Sequence, residues 1–178
     1  MRVGVTGHMN LSDASVPLVA DALHAYLGAL GDAPLVGVSC LARGADCVFA
    51  EVVIELGGRL EVVLPSSDYR DAQVEADDAP QFDQLLKEAA EVKTMPFDTA
   101  DQDAYAAANE AILDSVDQLV AIWDGSYSAN KGGTACAVEA ARSHGMAVTV
   151  IWPEGTTRAQ SDSELHRAET AAAVEAEK

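Results

Sequence analysis

Basic residues are scarce in this chain. Across 178 residues there are 11 Lys and Arg against 29 Asp and Glu, a formal net charge of −18 at pH 7. A phosphate backbone demands clustered cations, so the balance argues against nucleic acid as a partner, and equally against an anionic membrane surface. Cysteine is scarce as well. Cys40, Cys47 and Cys136 form no CxxC pair and are odd in number, which speaks against a disulfide framework and for a reducing compartment. No apolar run reaches the roughly 18 residues of a membrane span. The opening Arg2-Val-Gly-Val lacks the basic-then-apolar form of a secretory signal. The expectation from these absences is a cytoplasmic protein. The histidines and cysteines show no metal-ligand spacing, so no metal site is expected. The chain contains no GxGxxG, no Walker A pattern and no GxSxG elbow.

Hydrophobic residues make up 49% of the chain, enough for one core of ordinary size. Short apolar runs alternate with helical periodicity along its length. Strands are expected at Arg2 to Thr6, Leu35 to Ser39, Leu60 to Leu64, Val92 to Pro96, Leu119 to Trp123 and Ala147 to Trp152. Helices are expected from Ser15 to about Leu30, Gly44 to about Leu56, Gln81 to Glu91, Asp101 to Val116 and Thr134 to His144. Ser12 or Ser15 would cap the first, and Pro17 favours Ser15. Residues 66–80 read either as a long loop or as a short helix, in which Tyr69 and Arg70 would form a lid. Strand–helix alternation with continuous apolar strands predicts an α/β, Rossmann-like domain, its mostly parallel sheet covered by helices on both faces. That domain spans 1–153. Residues 154–178, charged and alanine-rich, are either an exposed helix or a disordered tail that docks a partner.

In an open parallel sheet, ligands bind beyond the carboxyl ends of the strands. Three glycine-bearing loops fall on that edge. The first follows Thr6 and carries Gly7, His8, Asn10 and Ser12. The second carries Ser39, Leu41, Arg43, Gly44 and Ala45. The third runs from Asp124 to Lys131-Gly132-Gly133-Thr134, where a strand feeds a glycine turn that opens a helix. Such a turn suits a phosphate, because free N–H groups and the helix dipole converge there. Lys131 would add a point charge. Asp124 would take a ribose hydroxyl or a metal, or simply form the turn.

The ordered set Val5-Thr-Gly-His8, Gly37-Val-Ser-Cys-Leu-Ala-Arg-Gly-Ala-Asp46 and Val120-Ala-Ile-Trp-Asp-Gly followed by Lys131-Gly-Gly-Thr134 resembles the SLOG superfamily. Its branches include LOG-type, molybdenum cofactor carrier-like and DNA-processing proteins. The resemblance implies a Rossmann-like fold, a nucleotide or nucleotide-like small-molecule ligand (with Mg2+ compatible) and a homo-oligomer. It places Gly7, Ser39, Gly44, Lys131, Gly132, Gly133 and Thr134 against the ligand's phosphate and sugar. The LOG phosphoribohydrolases and the nucleoside deoxyribosyltransferases carry a glutamate three residues after the threonine. Here that position is Ala137, and Glu139 lies about 200° further round the helix. The LOG arginine on the preceding helix is also missing, where Tyr105, Asn109 and Glu110 stand. The expected function is therefore binding, as sensor or carrier. The alternative is an enzyme acting on an N-glycosidic bond through His8, Asp124 or Glu139.

Overall fold

The computed structural model describes residues 1–31, 33–127 and 133–159. Six strands form one sheet: β1 (Arg2–Gly7), β2 (Val36–Ser39), β3 (Arg59–Leu64), β4 (Glu91–Thr94), β5 (Gln118–Ile122) and β6 (Ala147–Ile151). Every pairing is parallel, in the order β4-β3-β2-β1-β5-β6. The helices are α1 (Ser15–Gly28), α2 (Ala45–Glu55), α3 (Tyr69–Gln73), α4 (Ala79–Glu88), α5 (Gln102–Ser115) and α6 (Thr134–Ser143). All six expected strands are present, and the sheet is parallel throughout. Residues 66–80 resolve into α3 and the start of α4 rather than one loop.

The continuous apolar strands follow from burial on both faces. Along β5, Val120 and Ile122 join the core formed with Val19, Leu23 and Phe49 of α1 and α2. The alternate residues Leu119 and Ala121 pack instead with Leu113, Val138 and Ala141 of α5 and α6. A period-2 strand with a helix layer on each side has no polar face to display.

The strand order places a topological switch between β1 and β5. The chain leaves β1 toward β2, β3 and β4, then returns through α5 to β5 on the other side. The loops after β1 and β5 part to opposite faces there and open a crevice.

Two local details differ from the sequence reading. Helix α1 does begin at Ser15, but neither serine caps it through its side chain. The hydroxyls turn to the segment after β6 instead. Ser15 Oγ, fully buried, donates to the Thr157 carbonyl at 3.0 Å and accepts from the Thr157 N–H at 2.7 Å. Ser12 N–H donates to the same carbonyl, and Leu11 pairs with Arg158 in an antiparallel bridge. The chain therefore continues past residue 153 as a strap tied to the first loop. The tail from 160 to 178 lies outside the described residues. Ser15→Ala is expected to remove about 1–2 kcal/mol, because it leaves the Thr157 N–H without an acceptor and its carbonyl with only the Ser12 N–H. In thermal denaturation that is a fall of roughly 3–8 °C.

Tyr69 also departs from expectation. It is 3% exposed and packs with Phe82 and Tyr105, so it forms core and not a lid. Arg70 reaches outward to Asp83 at 2.6 and 2.8 Å. Among the described residues no helix is long and apolar enough to cross a membrane.

Candidate functional site

The first and second loops are built on each other. At the end of β1, a Cβ on Gly7 would lie 2.4 Å from the Ala45 Cβ and 2.9 Å from Ile122. Gly44 has φ +75°, and a Cβ there would meet the His8 and Met9 carbonyl oxygens at 2.8 and 2.6 Å. Ala45 N–H, at the start of α2, donates to the His8 carbonyl at 3.1 Å. Both glycines are thus required by backbone packing, which docks the first loop onto the amino end of α2.

That end of α2 already holds an anion of its own. Asp46, 4% exposed, accepts from Ser39 Oγ at 3.0 Å and from Cys40 Sγ at 3.3 Å. Burial pushes its carboxyl up to about 6, against the lowering effect of those bonds. The Ser39 hydroxyl, itself fully buried, also accepts from Leu41 N–H at 2.9 Å. Ser39 and Ala45 hold the second loop in shape from beneath, and a ligand in the cleft would not reach them. The loop turns at Leu41, whose φ is +55°. Arg43 pairs with Glu75 at 3.0 Å on the surface, so its charge is already met.

Across the switch, His8 and Asp124 meet. The His8 Nε2 lies 2.9 Å from Asp124 Oδ1, and its ring stands edge-on to Trp152 at 5.4 Å. Asp124 Oδ1 also accepts from Ser126 N–H at 2.9 Å and Ser126 Oγ at 2.6 Å. Burial would raise this carboxyl, but the Ser126 and His8 bonds outweigh it and hold it well below the usual carboxylate range. Asp124 is therefore ionised at neutral pH and cannot serve as a general acid. Trp123 locks the turn by donating Nε1 to the Ser126 carbonyl at 2.8 Å.

A polar cleft of about 290 Å³ lies beside this pair, lined by His8 but not by Asp124. His8, Asn10, Asp46, Asn109, Thr134 and Arg158 line it. Helix α6 opens on its wall, with Gly133 as N-cap and no side-chain capping bond. Gly133 sits at φ −74°, an ordinary extended conformation. Lys131 and Gly132, expected to complete the phosphate turn, lie outside the described residues. Glu139 is exposed on α6 and is not among the lining residues, and Ala137 is buried.

The sequence reading missed Arg158 and Asp46. Arg158 donates Nε to Asn10 Oδ1 at 3.0 Å, and its guanidinium stands 3.7 Å from Asp124 Oδ2. Its contact with Asn10 spans 148 positions of sequence and its contact with Asp124 joins two separate loops, so no local signal announces them. Asp46 was visible only as a polar residue in a helix's first turn.

The class defined so far is a doubly covered, all-parallel Rossmann-like domain with a polar cleft at the β1/β5 switch. No family model and no curated protein sequence matches the chain. Solved structures do. DNA processing protein A (DprA) from Streptococcus pneumoniae aligns with TM-score 0.63 and 18% identity over 95% of this chain. The chain spans 56% of that protein's length. A second is DNA processing protein A from Helicobacter pylori, whose single-stranded DNA binding mode has been described. It gives TM-score 0.63 and 15% identity, covering 95% of this chain and 73% of that one. The structural-genomics target TM1055 gives TM-score 0.52 and 19% identity, over 83% and 71%. The Rossmann-like fold implied by the SLOG resemblance is thus present.

One expectation is corrected by these neighbours. Nucleic acid was excluded on net charge, yet a protein of this fold binds single-stranded DNA. Net charge sums over a whole surface, whereas a strand is gripped at one local site. A balance of −18 is no ground for that exclusion.

Proposed function

We propose that this protein binds a nucleotide or nucleotide-derived small molecule in the switch-point cleft, as a sensor or carrier. The observation that carries the reading is the convergence there of the amino end of α6 with Arg158. The two supply a dipole and a cation, the cation shared with Asp124 at 3.7 Å, for a phosphate in an otherwise acidic molecule. Asn10, Asn109 and Thr134 add neutral hydrogen-bonding groups suited to a sugar. Lys131, by its place before Gly132-Gly133, joins the phosphate turn in this reading. A cytoplasmic location and a homo-oligomer belong to the same proposal.

Binding is favoured over N-glycosidic turnover by the carboxylates. Asp124 is held ionised by three donors, Glu139 is directed away, and Ala137 replaces the glutamate of the LOG pattern. A second reading has its own support in the Helicobacter pylori neighbour: the nucleotide is then one unit of a single strand.

Calorimetric titration of the full chain with AMP, ADP-ribose and an oligothymidylate tests both. Arg158→Ala is expected to weaken the binding partner about tenfold, as loss of one charge-assisted contact does. A preference for the oligonucleotide, with an affinity that falls steeply with salt, selects the second reading. Absence of binding to all three probes overturns both. Release of free base from AMP by the purified chain would overturn binding without turnover.

A further inference from the structure

The polar cleft continues into a second cavity of about 270 Å³ that the phosphate argument does not use. Met9, Ala42, Tyr105 and Gly133 border both halves. Beyond them the walls turn apolar: Leu41 and Cys47 from the second loop and α2, then Tyr69, Val74 and Phe82 from α3, its C-terminal end and α4. Together the two halves have the size of an ordinary small-ligand site.

Three features of the apolar half specify what it would accept. Its charged neighbours oppose an anion, since Asp78 lines it and Arg43 at its mouth is neutralised by Glu75. Its wall is aromatic, with Tyr69 set at 6.1 Å from Phe82 and 6.2 Å from Tyr105 between ring centroids. Such a wall suits a flat ring. Finally, Tyr69 lines the cavity, and among the described residues its hydroxyl makes no hydrogen bond yet is not one of the buried polar atoms left without a partner, so it borders the open space of the cavity. A hydroxyl that borders a cavity without a protein partner is available to a polar atom of a ligand.

We infer that this cavity is a subsite for an uncharged heteroaromatic ring, the base end of the ligand whose phosphate lies against α6. Tyr69 reads the ring through its hydroxyl, and Leu41, Val74 and Phe82 exclude water from it. This inference rests on the nucleotide reading above and adds the direction in which the ligand lies: phosphate toward β5 and α6, ring toward α3 and α4.

The test is calorimetric titration of the full chain with AMP and, separately, with ribose 5-phosphate. The wild-type protein is expected to hold AMP at least tenfold more tightly. Val74→Trp, which fills the cavity from its rim, should reduce AMP affinity to the ribose 5-phosphate level and leave ribose 5-phosphate unchanged. Tyr69→Phe, which keeps the packing, should weaken AMP by about three- to tenfold with the same indifference to ribose 5-phosphate. It serves alone should Val74→Trp fail to fold by circular dichroism. If AMP binds and neither variant weakens it, the ring lies elsewhere and this inference falls while the nucleotide reading stands. If neither probe binds the wild-type chain, the nucleotide reading fails and the subsite assignment falls with it.

Discussion

Gly44→Ala is expected to lower the thermal midpoint by roughly 6–12 °C, the largest single-residue effect on stability anticipated for the loops of this protein. Two causes add. At φ +75° and ψ −118°, outside the left-handed helical well, an L side chain costs on the order of 1–3 kcal/mol through its own backbone. The new Cβ would also lie 2.6 Å from the Met9 carbonyl oxygen and 2.8 Å from that of His8. Those are backbone atoms, which cannot swing away as a side chain would, and relieving such a clash typically costs about 1–3 kcal/mol. Relief must push the first loop off α2, so the Ala45 N–H to His8 bond at 3.1 Å lengthens and His8 shifts from Asp124. Any ligand bound at the cleft should weaken in step with the loss of stability. Calorimetric melting of Gly44→Ala beside Gly57→Ala separates packing from conformation, because Gly57 has φ +72° with open space around it. Gly57→Ala should lose only the conformational part. Equal losses in the two variants would show that the loop contact is unimportant.

A second large effect is expected from pH. Asp46 titrates near 6 in the folded protein, against 3.8 for an ordinary aspartate, chiefly because burial disfavours its charge. The folded state therefore holds this proton more tightly than the unfolded chain, and stability falls as pH rises. Below about pH 4 both states are protonated and there is no penalty. Between pH 4 and 6 the penalty grows, and above pH 6 it is complete at about 3 kcal/mol. The neighbouring Cys40 thiol is pushed up, by burial first and by Asp46 second, so it stays neutral throughout this window. Other carboxylates act in the opposite sense: Glu61, hydrogen-bonded to Arg2, is lowered and favours folding at higher pH. The Asp46 contribution is isolated by comparison with Asp46→Asn in urea titrations. The stability of the wild type minus that of Asp46→Asn should drop by about 2 kcal/mol from pH 4 to pH 7. A difference that does not change with pH would mean that Asp46 is well solvated in the folded state.

Asp46 also shows why the site was only partly legible in the sequence. The second loop was recognised as a site-forming turn, but its polar residues were assigned outward to a ligand. Ser39 and Ala45 face inward instead, and the anion at the start of α2 is supplied by the chain itself. Nothing in a ten-residue window distinguishes a serine that contacts phosphate from one that contacts a buried aspartate. Arg43 illustrates the same problem in charge: it is cationic in the sequence and compensated by Glu75 in space. Gly7 was expected to allow a close backbone approach, and Gly44 to open α2 and line a ligand. What approaches them is the protein's own backbone and the side chain of Ala45.

The sequence by itself determined the elements and their class. Continuous apolar runs bounded by glycine and proline set six strands with two covered faces, helical spacing set the helices between them, and the alternation of strand with helix pointed to a parallel sheet. It also put His8 and Asp124 at strand ends, because those positions follow directly from where β1 and β5 stop. Only the tertiary structure decided that the two meet at 2.9 Å, since the strand order that seats β5 beside β1 is a long-range choice. Only it brought Arg158 back across the sheet to Asn10 and Asp124, and opened an aromatic cavity behind Tyr69. Local physics fixes what a segment becomes. Which charges and hydroxyls face the cleft depends on partners more than a hundred residues away, and that information exists only once the sheet has closed its order.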